Sequence, residues 1–87
     1  MDFYINFEGI INRDESLKIA NAINMAMSSG ATRIIIFFGS LGGSIYDGFI
    51  LASLIQNCKV PVVIHAVNHI DSIANVIYMS AKERTAE

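Results

Sequence analysis

Two short segments hold most of the residues that could do chemistry. One is Gly39-Ser40-Leu41-Gly42-Gly43-Ser44, and the other is Val67-Asn68-His69-Ile70-Asp71-Ser72. The glycines of the first permit positive φ and let another backbone come close. Where a helix follows such a loop, its first N–H groups are unpaired and point outward, which makes an anion or oxyanion site. The segment is neither a Walker loop, which ends Gly-Lys-Ser/Thr, nor a GxGxxG dinucleotide fingerprint. A tight turn with close strand–helix packing is the plainer alternative. In the second segment the reactive group is the Ser72 hydroxyl. A serine at a helix start most often serves as an N-cap. The chemical alternative is a nucleophile whose oxyanion product is held by neighbouring backbone N–H groups.

Few other side chains compete for a chemical role. His65 lies in an apolar run and reads as a packed, hydrogen-bonded core residue. His69 stands three residues before Ser72 and is the one nearby candidate for a base. The single cysteine, Cys58, cannot form an internal disulfide and has no metal-ligand spacing around it, so no metal site is expected. It reads as a small buried residue at a helix end. No cofactor is implied. Six Lys/Arg against eight Asp/Glu give a net charge of −2, which offers no basic patch to a nucleic-acid backbone. The start, Met1-Asp2-Phe3-Tyr4, lacks the form of a signal peptide, and no apolar run approaches the ~20 residues of a membrane helix. A soluble, cytoplasmic protein without a membrane partner is the expectation.

The elements that must position the two segments alternate. Phe3–Phe7 is aromatic and β-branched, a short strand. Asn12 with Glu15 three residues on forms a capping box, and Leu17, Ala20, Ile23 and Met27 recur at helical spacing. Ser28-Ser29-Gly30 ends that helix. Arg33–Phe38 holds five apolar residues without alternation, a strand expected to be covered on both faces, and Gly39–Gly43 breaks it. A second helix fits from Ser44 to about Asn57, and Pro61 opens a third strand, Val62–Ala66. Asn68-His69 reads as a loop, Asp71 to about Ala81 as a third helix, and Thr85-Ala86 as the start of another strand. The order βαβαβα predicts an α/β fold with a parallel sheet and right-handed crossovers. Ligands of such sheets bind at the carboxyl ends of the strands, where both segments fall.

The composition sits uneasily with the length. Eighty-seven residues form at most one domain, yet 53% of the chain is hydrophobic and 16% charged. A chain of this mass should fold to about 5,000 Å² of surface and bury roughly 63% of its unfolded area, a thin core. The excess of apolar residues predicts further burial against partners or against other parts of a larger domain.

Taken together, the motifs resemble those of the Clp protease proteolytic subunit family of serine peptidases. The likeness is sharpest in Ile36-Phe37-Phe38-Gly39-Ser40-Leu41-Gly42-Gly43-Ser44-Ile45-Tyr46-Asp47-Gly48, which is similar to that family's strand, Ser-Pro-Gly-Gly turn and helix. Val60-Pro61-Val62-Val63-Ile64, leading to Ser72 and Ala74, is a second match, and Ala81-Lys82-Glu83-Arg84-Thr85-Ala86 a third. Gly43 and Ser72 keep the family's spacing of 29 positions. The resemblance implies the Clp/crotonase-like spiral fold, with this chain as its N-terminal, nucleophile-bearing portion. It implies Ser72 as nucleophile, with the N–H groups of Gly43 and Ile73 as the oxyanion hole. Gly42-Gly43 would lie beside an extended substrate peptide and add it as a strand. Also implied are peptide or unfolded-protein substrates, a homo-oligomeric ring and an ATP-dependent unfoldase partner.

Three positions depart from the family pattern. Leu41 replaces the usual proline, and Asn68 replaces a glycine but tolerates left-handed geometry. Asp71 replaces a small residue. Its carboxylate is placed to cap a helix, and its charge opposes alkoxide formation at Ser72. The family's catalytic His and Asp lie downstream of the third helix, beyond Glu87, so the 87-residue chain alone is expected not to hydrolyse peptides. Two other functions share the fold: a crotonase-like acyl-CoA enzyme and a non-catalytic assembly subunit.

Overall fold

The computed structural model describes every residue, Met1–Glu87. Its elements are β1 (Asp2–Glu8), α1 (Arg13–Ser28), β2 (Arg33–Ser40), α2 (Ile45–Gln56), β3 (Val62–Ile70), α3 (Ala74–Met79) and β4 (Glu83–Ala86). The four strands form one sheet in the order β1-β2-β3-β4, every pair parallel. This is the α/β architecture that the alternating pattern predicts, with Thr85-Ala86 inside a fourth strand.

Strands laid side by side in sequence order, with crossovers of one hand, place all their helices on one face of the sheet. The burial pattern follows. On β1, Ile5 and Phe7 are buried while Tyr4 and Asn6 are exposed. Ile5, Ile36 and Ile64 fall in one register row, and Phe7 pairs with Phe38, which pairs with Ala66. Together with Ile19 and Ile23 of α1, Leu51 and Ile55 of α2 and Ile77 of α3, these residues make the core. The alternate rows, Tyr4–Ile35–Val63 and Asn6–Phe37–His65–Thr85, occupy the other face. Within this chain, then, helices cover β2 on one face only, and the cover expected on its other face is not supplied by α1, α2 or α3. Ile35 is only 8% exposed because its in-sheet neighbours shelter it, not because a helix lies over it.

The helix signals act as read. Asn12 Oδ1 accepts the Glu15 N–H at 2.8 Å and caps α1, Ser44 Oγ accepts the Asp47 N–H at 3.2 Å and caps α2, and Gly30 takes φ 80° past the end of α1. At the amino ends of the strands, Arg33 forms a two-pronged pair with Asp2, with Nη2–Oδ2 at 2.7 Å. The hydrogen bond from Arg33 holds the Asp2 carboxyl below its ordinary range.

Three boundaries differ from the sequence expectation, all at the carboxyl end of the sheet. Gly39 and Ser40 do not break β2 but complete it. Val67–Ile70 is not a loop, since β3 runs through it. The ladder slips between Phe38, which pairs with Ala66, and Ser40, which pairs with Ile70. One residue of β2 thus faces three of β3, a bulge of the kind that re-aims strand ends. Asn68, inside the bulge, has φ 60°, the left-handed geometry that its residue type tolerates. Finally, α3 starts at Ala74 rather than Asp71, because the backbone at Ser72 turns left-handed.

Candidate active site

Both chemistry-bearing segments emerge at the carboxyl ends of β2 and β3, and Ser40 ties them together. Its hydroxyl, buried at the end of β2, accepts the Gly42 N–H at 3.0 Å, while its carbonyl accepts the Asp71 N–H at 3.0 Å. The sequence reading gives Ser40 no role of its own. Its signal is a small polar residue closing an apolar run just before two glycines.

Gly42 and Gly43 have φ of 106° and 146°, values that a side chain rarely adopts. Space is as restrictive as conformation. A Cβ on Gly42 would sit 2.7 Å from Ser72 Cβ, and one on Gly43 would sit 2.2 Å from the Ile11 carbonyl oxygen. The first contact brings the glycine turn directly against Ser72. The second reflects a single parallel bridge between Gly43 and Ile11.

That bridge uses one edge of the extended Gly42–Ser44 segment. Ile11 N–H donates to the Gly42 carbonyl at 2.9 Å, and Ser44 N–H donates to the Ile11 carbonyl at 2.7 Å. The opposite edge is open: neither the N–H nor the C=O of Gly43 has a partner within the protein. An extended chain alongside would find one donor and one acceptor in strand register, the requirement for β-augmentation. Between this glycine turn and the end of β1 lies a groove of about 480 Å³, lined by Gly9, Gly39, Gly42 and Gly43 and by Glu8, Ile10, Leu41 and His69.

Ser72 is exposed, and its φ is 55°. It does not cap a helix: α3 has no side-chain cap, and the Ser72 hydroxyl bonds to nothing in the protein. The plainer of its two sequence roles is thereby removed. A left-handed, non-glycine residue costs of order 1–2 kcal/mol, strain that concentrates at functional positions. Ile73 follows in helical geometry with its side chain buried, and its N–H also lacks an acceptor. A Cβ on Gly48 of α2 would lie 2.3 Å from Ile73 Cγ1, so Gly48 is the reason that α2 can press on Ile73 and fix it.

No general base touches Ser72. Asp71 does not cap α3 with its carboxylate; its carbonyl accepts the Ala74 N–H at 3.0 Å instead. The carboxylate lies 3.9 Å from His69 Nδ1, with both side chains largely exposed. His65 belongs to the uncovered sheet face, half-buried, with Nδ1 2.6 Å from Thr85 Oγ1 and its ring edge-on to Phe37. Lys82 sits at the far end of the sheet, where its N–H meets the Val62 carbonyl. No three His, Cys, Asp or Glu side chains converge as metal ligands.

The match to known proteins follows the same path through the chain. The family model for Clp protease matches residues 2–86. The chain belongs to the Clp protease family. That is the family which the glycine turn and the Ser72 segment resemble. Among solved structures, a membrane protease specific for a stomatin homolog, from Pyrococcus horikoshii, superposes with a TM-score of 0.87 at 20% identity, over 98% of this chain and 44% of that one. A lysine-to-alanine variant of a membrane-bound stomatin-specific protease, in complex with a substrate peptide, gives 0.89 at 20% identity over 99% and 41%. ClpP1 from Listeria monocytogenes gives 0.82 at 23% identity over 90% and 46%. These likenesses establish the shared fold, and the chain spans less than half the length of each structure. No curated protein matches the sequence.

Proposed function

We propose that this chain supplies the nucleophile and oxyanion hole of a Clp-type serine endopeptidase. The observation that carries the reading is the apposition of Gly42 to Ser72, with the open Gly43 edge beside it. A substrate strand laid on that edge would bring its scissile carbonyl toward Ser72. The Ser72 Oγ would attack the carbonyl carbon while a base accepts its proton. The resulting oxyanion would be held by the N–H groups of Gly43 and Ile73, both free of internal acceptors. Because recognition is through peptide backbone, the substrates are peptides or unfolded proteins of varied sequence.

The base is not supplied within this chain. No histidine or lysine hydrogen-bonds Ser72, and an unassisted serine is a poor nucleophile near neutral pH. The reading therefore includes an inactive chain in isolation, with the proton acceptor on other residues. It also includes assembly into a ring of copies and an ATP-dependent unfoldase as feeder, in the cytoplasm. The support for assembly is the run of exposed apolar residues Ile45, Phe49 and Ile50 on α2. A second reading, a non-catalytic assembly subunit, draws its support from the Asp71 carboxylate immediately before Ser72.

The test uses a serine-reactive fluorophosphonate and a fluorogenic peptide, applied to the chain and to the full-length gene product. The expected result is labelling of the full-length product at Ser72, lost in Ser72→Ala, with no turnover by the chain alone. Turnover by the chain alone that depends on Ser72 would show an internal base, with His69 the candidate. Absence of labelling in both would favour the assembly role, and coenzyme A binding without labelling would point to the acyl-CoA alternative.

A further inference from the structure

Parallel pairing gathers the carboxyl ends of all four strands, and the starts of the helices that follow them, at the end of the sheet where the candidate site lies. Six of the eight acidic residues fall there: Glu8 ends β1, Asp14 and Glu15 open α1, Asp47 opens α2, Asp71 follows β3, and Glu87 follows β4. Two cations, Arg13 and Lys18 of α1, share that end, and Lys18 is paired with Glu15 at 2.8 Å. Arg33, Lys59, Lys82 and Arg84 lie at or before strand starts, toward the opposite end, with Asp2 and Glu83. The net charge of −2 is therefore polarised, strongly negative at the site end and positive at the other.

Two of these carboxylates lie at the groove lined by Gly42 and Gly43. Glu8 lines the groove and accepts a hydrogen bond from the Asn68 amide. The Asp71 carboxylate is 57% exposed and lies 3.9 Å from Nδ1 of His69, which lines the groove. Asp47, at the start of α2, lines the groove between α1 and α2 instead. None pairs with Lys or Arg, although Arg13 lines the same inter-helix groove as Asp47. Apolar cover in the groove comes from Ile10 and Leu41, exposed by 57% and 69%.

We propose that the site selects cationic segments: extended, largely apolar peptides with Lys or Arg close to the residues paired with Gly43. The inference rests on the peptide-binding reading above and adds to it a sign of charge. An unneutralised carboxylate group beside a shallow, open edge attracts a peptide cation and repels an anion within a Debye length of about 10 Å at 0.1 M salt. A lysine bound there would also offset the Asp71 charge that opposes alkoxide formation at Ser72.

The test is a titration of the chain with three peptides of one apolar sequence, carrying two Lys, two Gln or two Glu, followed by NMR at the Gly43 and Ile73 amide signals. At about 20 mM salt the Lys peptide should bind roughly tenfold more tightly than the Glu peptide, with Gln between, and the ranking should shrink at about 300 mM. The Glu8→Gln/Asp71→Asn double variant should flatten the ranking, read as the ratio of Lys-peptide to Glu-peptide affinity. Equal affinities across the series would overturn the charge inference and leave the peptide site standing. If no peptide perturbs Gly43, the peptide-binding reading itself fails, and the inference with it.

Discussion

At Ser72 the residue type and the backbone disagree, and the disagreement is informative. Serine at φ 55° bears the left-handed cost that glycine escapes, with no compensating hydrogen bond from its hydroxyl. Ser72→Gly should therefore stabilise the fold by about 1 kcal/mol in urea unfolding, while Ser72→Ala leaves stability nearly unchanged. Both variants remove the proposed nucleophile. If glycine stabilised no more than alanine, the strain would not be real, and one argument for a functional Ser72 would disappear. The neighbouring residue-scale requirement runs the other way. A side chain at Gly43 would meet the Ile11 carbonyl at 2.2 Å, which neither rotamer change nor solvent can relieve.

At the scale of elements, the site depends on how α2 meets the start of α3. α3 is short, from Ala74 to Met79, and lacks a side-chain cap, so its own hydrogen bonds hold it weakly. Its anchors are tertiary: Ile73 pressed against Gly48, Ile77 in the core, and Tyr78 donating from its hydroxyl to the Thr85 carbonyl at 2.8 Å. Gly48→Ala places a methyl 2.3 Å from Ile73 Cγ1 and should cost about 2 kcal/mol through overpacking. Ile73→Ala alone should cost about 3 kcal/mol through the cavity that it leaves. In Gly48→Ala/Ile73→Ala the new methyl enters vacated space, so the double variant should cost less than the two singles combined. Additive costs in thermal or denaturant unfolding would mean that Gly48 and Ile73 are not coupled, and that α2 does not position the Ile73 N–H.

The whole molecule has an accessible surface of 4988 Å², the area expected of a folded protein of this mass, so the apolar excess is not explained by loose packing. Much of it is simply outside. Ile45, Tyr46, Phe49 and Ile50 on α2 and Leu17 on α1 are each about half exposed or more, and the face bearing Tyr4, Phe37 and His65 has no helix over it. Such contiguous apolar surface favours association. Light scattering of the chain at micromolar concentration should show soluble oligomers rather than a monomer. Phe49→Glu/Ile50→Glu should raise the monomer fraction with circular dichroism unchanged, because both side chains are more than half exposed. A monodisperse monomer of the unaltered chain would contradict the assembly part of the proposed function.

Periodicity determines the alternation of strands and helices and their parallel arrangement, and residue type determines the Asn12 cap and the left-handed turn at Gly30, while Asn68 is legible only beside the family's glycine. These are local: each depends on side-chain spacing or on a backbone preference carried by one residue type. The spacing of Gly43 and Ser72 also points to the site, by resemblance to the family. What the sequence could not reveal is non-local. Whether Gly39–Ser40 ends a strand or continues it depends on β3 bulging opposite. Whether Ser72 caps a helix depends on a backbone turn set by the link from Asp71 N–H to the Ser40 carbonyl. The need for glycine at position 48 comes from Ile73, and the open edge at Gly43 exists because Ile11 occupies the other. Likewise, acids scattered from Glu8 to Glu87 become one field only when a parallel sheet brings its strand ends together, since electrostatic fields sum over space and not along the chain.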